Sequence, residues 1–147
     1  MKVAARDLVR NVVKEKLARD EVALSMTVRL VRTAEIVTIA KTAGFDTFYI
    51  DLEHSSLSIE TASQICMTAM NAGIAPFVRL PNLASDVIAR NLDGGALGVI
   101  APHVESAEQQ STSCVRRNFR RWANARMVAC CRIWVFVPSR LLKSAKP

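Results

Sequence analysis

Apolar positions at Leu8, Val9, Val12, Val13 and Leu17 recur at helical spacing and predict an amphipathic helix over Asp7 to Leu17. Val22 to Leu30 reads as a first strand, and Thr33 to Ala43 as a helix with Ile36, Val37, Ile39 and Ala40 on its buried side, closed by Gly44. Phe45 to Leu52 is dense in aromatic and branched residues, with both faces mostly apolar, as buried parallel strands tend to be. A helix over Ile59 to Asn71 follows the capping candidates Ser56 and Ser58 and stops at Gly73. Ala75 to Leu80 is a short strand ending at Pro81, Ser85 to Asp93 a helix with Gly94 and Gly95 behind it, and Gly98 to Pro102 a fourth strand. A further helix is expected from Ser106, with Glu108 in its first turn. Strand and helix thus alternate four times with short connections, which favours right-handed βαβ units around a parallel sheet and an α/β class. After Gln109 the alternation stops.

Composition agrees with a packed fold. The chain has 147 residues, half of them apolar, with five glycines and five prolines, enough for one modest domain with its own core. No apolar run approaches the roughly eighteen residues of a membrane span, and Met1 to Asp20 mixes charges throughout, so a cytoplasmic protein with no membrane partner is expected. Cys66, Cys114, Cys130 and Cys131 include no pair with the two-residue gap of a zinc knuckle or a redox motif, which leaves buried apolar roles or free thiols. The net charge of +7 changes meaning once it is located: Gln110 to Pro147 carries nine basic residues and no acid, leaving eleven basic and thirteen acidic residues before it. Arg116, Arg117, Arg120, Arg121 and Arg126 could neutralise phosphates and Trp122 could stack on a base, but any arginine-rich segment gives that signal.

Chemistry is expected where strands end, at the carboxyl edge of a parallel sheet. Asp51 and His54 follow the second strand, Arg79 ends the third, and His103 and Glu105 follow the fourth. An acid three positions before a histidine can hold the ring in one tautomer and keep it basic, suiting it to remove a proton near neutral pH. Arg79 brings a permanent planar cation, able to hold a carboxylate through two hydrogen bonds or to stabilise a forming oxyanion. Taken singly, each has a bland reading as a surface ion pair or a solvated strand end, and it is their joint appearance that points to catalysis. For His103 and Glu105 a structural role is favoured. Gly94-Gly95-Ala96-Leu97-Gly98 precedes a strand and lacks the lysine of a phosphate-binding loop, and no Gly-x-Ser-x-Gly elbow is present.

Three ordered motifs carry a family resemblance. Gly44-Phe45-Asp46 with Ile50-Asp51-Leu52-Glu53-His54, then Pro76-Phe77-Val78-Arg79-Leu80-Pro81, then the segment from Leu92-Asp93-Gly94-Gly95 through Ala101-Pro102-His103-Val104-Glu105 to Glu108 together resemble the HpcH/HpaI aldolase/citrate lyase family over about Val22 to Gln109. The resemblance implies a (β/α)8 TIM-barrel fold, of which this chain supplies about the first four βα units. It implies a carbon–carbon lyase that cleaves 4-hydroxy-2-oxo acids to pyruvate or a related 2-oxo acid plus an aldehyde. It further implies a divalent metal, Mg, Mn or Co, that stabilises the enolate. By resemblance His54 assisted by Asp51 is the acid/base dyad, and Arg79 the cation beside the keto oxygen of the bound 2-oxo acid; Glu53 matches the motif without a firm role. The family's metal ligands, a glutamate and an aspartate, belong to later strands, and no acidic residue follows Gln109. The ligands are therefore expected to be absent from this chain, which is expected to be inactive alone. Complete members are expected to form homo-oligomers.

The tail departs from the family in an ordered way. Where the family has a segment like Phe-Pro-Pro-Leu-Gly-x-Arg-Ser followed by glycines, this chain has Asn118-Phe119-Arg120-Arg121-Trp122-Ala123-Asn124-Ala125-Arg126. Back-translated and read two bases later, the stretch permits Lys-Phe-Pro-Pro-Leu-Gly-Lys-Arg-Ser, and Met127 to Cys131 continue as Asn-Gly-Gly-Leu-Leu. A frameshift near Gln109 to Ser111 is the reading this suggests. The organisation expected is an amino-terminal helix over 1–21, a partial barrel over 22–109 and a frameshifted basic tail over 110–147. Two alternatives remain: a basic module binding nucleic acid or acidic surfaces, and a non-catalytic remnant that associates with a full-length homologue.

Overall fold

A computed structural model describes residues 10–103. The expected helix from Ser106, Glu105, the basic tail and the first residues of the amino-terminal helix lie outside the described residues. Four parallel strands, β1 (Ser25–Val28), β2 (Thr47–Asp51), β3 (Ala75–Arg79) and β4 (Gly98–Ile100), lie side by side in chain order. Helices α1 (Val12–Ala18), α2 (Glu35–Thr42), α3 (Ile59–Asn71) and α4 (Ser85–Asp93) precede or connect them. A strictly sequential parallel order has no reversal point, so right-handed crossovers place every connecting helix on the same face; this is the wall of a (β/α)8 barrel rather than a doubly wound sheet.

Helix boundaries follow local chemistry. The Ser58 hydroxyl accepts the amide of Thr61 and starts α3. Gly44 and Gly73, just past the ends of α2 and α3, take φ of +82° and +72°, a left-handed turn that a side chain resists. The short α1 is capped by the Asn11 side chain and tied to the sheet by Lys16, whose ammonium lies 2.7 Å from Asp46. Asp46 also accepts the amide of Leu24 at 2.9 Å.

The alternation of side chains divides the sheet into two faces. Phe48 and Ile50 of β2, Val78 of β3 and the following Leu80 meet Ile36, Val37, Ala40, Ile65, Cys66, Ala69 and Ile88 from the helices in one buried cluster. Burial pushes the Cys66 thiol up to about 12, so it packs as an apolar group. Tyr49 and Asp51, paired in register with Phe77 and Arg79, occupy the opposite face.

Two expectations are corrected. Ile39 is 60% exposed, because the α2 stripe that meets the sheet runs through Ile36, Val37 and Ala40 and leaves Ile39 on its flank. The first strand is Ser25–Val28 rather than Val22 to Leu30: among the described residues β1 pairs with β2 alone, in a register that opens at Ser25↔Thr47, and Val22, Leu24 and Leu30 stay exposed.

Candidate active site at the carboxyl edge

The register that pairs Asp51 with Arg79 brings opposite charges together on adjacent strand ends. Arg79 donates from Nε and Nη2 to the two oxygens of Asp51 at 3.0 and 2.6 Å, a two-pronged ion pair around a carboxylate that is 1% exposed. On the other side Arg29, one residue past β1, brings Nε to 3.4 Å from Asp51. The backbone amides of Glu53 and His54 donate to Asp51 at 3.0 and 3.1 Å. Burial alone would push the Asp51 carboxyl up; the hydrogen bonds from Arg79 and the two amides outweigh it and hold the group down at about 2.

Asp51 therefore serves the loop after β2. It takes the amide of His54, while Arg29 donates to the carbonyl of the same residue at 2.6 and 3.2 Å. Ser55 returns its hydroxyl to the carbonyl of Asp51, and Arg32 reaches Ser56 at 2.9 Å. The main chain of His54 is held from both sides, and its ring is left 57% exposed at the rim.

This geometry revises the expected pairing. The Asp51 carboxylate meets the backbone of His54 and the guanidinium of Arg79, and the acid beside the imidazole is Glu53, whose Oε1 lies 3.8 Å from His54 Nε2. Glu53 is nearly buried and is held by Arg79 Nη1 at 2.9 Å and by His103 Nε2 at 2.7 Å. His54 and Arg79 thus lie against one carboxylate, close enough for both to touch one small ligand. Arg79 sits over the Tyr49 ring, 5.6 Å from its centre. Its two-pronged face, expected to be open to a ligand, is spent on Asp51. A ligand would meet only the remaining Nη hydrogens.

Sequence reasoning missed Arg29 and left Glu53 without a role. Glu53 stands two positions after Asp51, so the alternation of β2 carries it to the same side; that spacing was the available signal. Arg29 directly follows β1, whereas Arg79 is the last residue of β3.

A model of the HpcH/HpaI aldolase/citrate lyase family matches residues 31–133. The chain belongs to the HpcH/HpaI aldolase/citrate lyase family. It is 42% identical over 98 residues to the 4-hydroxy-4-methyl-2-oxoglutarate aldolase tasA of Hapsidospora irregularis, an overlap of 66% of this chain and 36% of that protein. It is 39% identical over 98 residues to the aldolase of the same description, cghB, from Chaetomium globosum, with the same coverage. Among solved structures, the HpcH/HpaI aldolase of Desulfitobacterium hafniense superposes with a TM-score of 0.66 at 32% identity, covering 69% of this chain and 39% of that one. The chain thus spans little more than a third of the length of these HpcH/HpaI relatives.

The divalent metal that the HpcH/HpaI resemblance implies can be tested against the donors present. Both carboxylates at the edge are already engaged, Asp51 by Arg79 and two backbone N–H groups, Glu53 by Arg79 and His103. Among the described residues no group of three or more His, Cys, Asp or Glu side chains gathers that could hold a metal ion. These donors do not fit the metal by themselves.

Proposed function

We propose that this chain supplies the proton-handling and cationic part of the pocket of a carbon–carbon lyase, which cleaves a 4-hydroxy-2-oxo acid to pyruvate or a related 2-oxo acid and a carbonyl product. The observation that carries the reading is the placement of the His54 imidazole and the Arg79 guanidinium against one carboxylate, at the carboxyl edge of a barrel-type sheet. In the cleavage a base takes the proton of the C4 hydroxyl, C4–O becomes a carbonyl, and the electron pair of the breaking C3–C4 bond passes into the enolate of the 2-oxo acid, which is then protonated at C3. His54, fixed through its backbone and open to solvent at its ring, is the group placed to move that proton. Arg79 faces the oxygen that gathers negative charge through its remaining Nη hydrogens.

The substrate class proposed is a 4-hydroxy-2-oxo dicarboxylic acid, supported by the names of the two fungal relatives. The chain itself is proposed to be inactive, since the metal ligands that the resemblance implies belong to later strands and no acidic residue follows Gln109. The frameshifted tail stands as part of the same proposal.

The test is pyruvate release from 4-hydroxy-4-methyl-2-oxoglutarate and shorter 4-hydroxy-2-oxo acids, in the presence of Mg, Mn or Co. The chain as given should release none, and the version read in the shifted frame beyond Gln109 should turn over. In that version His54→Asn should lower kcat by about 100-fold or more. Failure of the shifted-frame protein on the whole panel defeats the proposal.

A further inference from the structure

Glu53 meets three side chains where Asp51 meets two, and the aldolase reading gives it no task. Its carboxylate is 9% exposed and meets three side chains from three segments: Arg79 Nη1 at 2.9 Å, His103 Nε2 at 2.7 Å and His54 Nε2 at 3.8 Å. Both imidazoles approach the same oxygen, Oε1, while Arg79 takes Oε2. His103 is 80% exposed, yet its backbone adopts φ of +47°, a left-handed conformation that costs energy outside glycine. The ring of this exposed histidine, in a left-handed backbone conformation, is turned back onto a nearly buried carboxylate.

We propose that Glu53 is the positioning carboxylate of the site, holding His103 as a second imidazole beside His54 and fixing its tautomer. With Nε2–H donated to Glu53, the neutral His103 ring keeps Nδ1 as a hydrogen-bond acceptor, so the pocket carries a second group able to receive a hydroxyl proton or hydrogen-bond a hydroxyl group. Arg79 makes the arrangement directional. It occupies Oε2, so the imidazoles are served by Oε1 alone. Asp51 takes no part, because its oxygens are used by Arg79 and by backbone amides. The inference extends the lyase reading, since the second imidazole matters to a substrate that carries a hydroxyl.

The sequence has two histidines, so the ring nitrogens can be observed without crowding. Nitrogen-15 NMR of the full chain with its imidazoles neutral reads each tautomer, and His54→Asn assigns the remaining signal to His103. The expected result is an Nε2–H tautomer for His103. In Glu53→Gln the carboxamide oxygen is drawn to Arg79 and its NH2 faces the rings, so His103 should switch to the Nδ1–H tautomer. Asp51→Asn should leave both rings unchanged. An Nδ1–H tautomer for His103 in the unaltered chain overturns the proposal, so a Glu53 variant that fails to fold still leaves it testable. A Glu53→Gln spectrum with no switch also overturns it, as does a response of His54 to Asp51→Asn but not to Glu53→Gln. The measurement needs no substrate, so its failure would remove the role of Glu53 and leave the lyase reading to the pyruvate assay.

Discussion

The two faces of the sheet solve different problems with neighbouring residues. On the helix-covered face Phe48, Ile50, Val78 and Leu80 are fully buried among side chains of α2, α3 and α4. On the opposite face Tyr49 and Phe77 are only half-buried, and the alternation that places them there ends at Asp51 and Arg79. One face is closed by apolar packing. The other is held at its carboxyl edge by ion pairs and backbone hydrogen bonds. A residue thus changes its role completely by moving one position along β2, from Ile50 in the core to Asp51 in the site.

Truncation on the closed face should have the largest effect. Phe48→Ala should cost about 3–5 kcal/mol, a large share of the roughly 5–15 kcal/mol that holds an ordinary domain together, and should remove a cooperative urea transition. Arg79→Met leaves the Asp51 carboxylate buried with two amides and the single ion pair to Arg29 at 3.4 Å. A loss of about 3 kcal/mol is expected in the same measurement; a change under about 0.5 kcal/mol would mean that the ion pair does not hold the polar face.

Acid should act through the carboxylates held by cations and amides, Asp51 first. The Asp51 carboxyl titrates at about 2, below its ordinary 3.8, so its contribution is complete above pH 3.8 and is lost as pH falls toward 2. Asp46 is also lowered, burial opposing the stronger combined pull of Lys16 and the Leu24 amide, and it adds to the same acid limb. The comparison is therefore between the unaltered chain and Asp51→Asn. The variant should lack about 2 kcal/mol of pH-dependent stability in acid denaturation followed by circular dichroism, and equal acid limbs would contradict the assignment. The smallest effect is expected at Phe77→Ala, about 1–2 kcal/mol, because its ring is only half removed from water. A cost equal to that of Phe48→Ala would erase the distinction between the faces.

Much of this was legible before the structure. The spans of α3 and α4 follow from Ser58, Gly73 and Gly94, which act within a turn of where they stand. The order of four βα units followed from alternation, which set His54 and Arg79 at the ends of successive strands. What local pattern could not show was which atom Asp51 would bind. A carboxylate three residues before a histidine can reach its ring or its amide, and the choice was decided by Arg79, 28 residues away, taking both oxygens. The exposure of Ile39 was hidden for a similar reason: a helical stripe shows which residues share a side but not where the sheet ends beneath it.

Arg29, Asp51 and Arg79 form a cation–anion–cation row across three adjacent strand ends. Sliding β3 by a single residue would carry the guanidinium to the helix side of the sheet and set Val78 or Leu80 against a carboxylate that water barely reaches. Such a mispaired sheet would bury an uncompensated charge at each of two places. The row therefore works as a key for strand alignment: the contacts that shape the pocket also penalise assembling the sheet out of step.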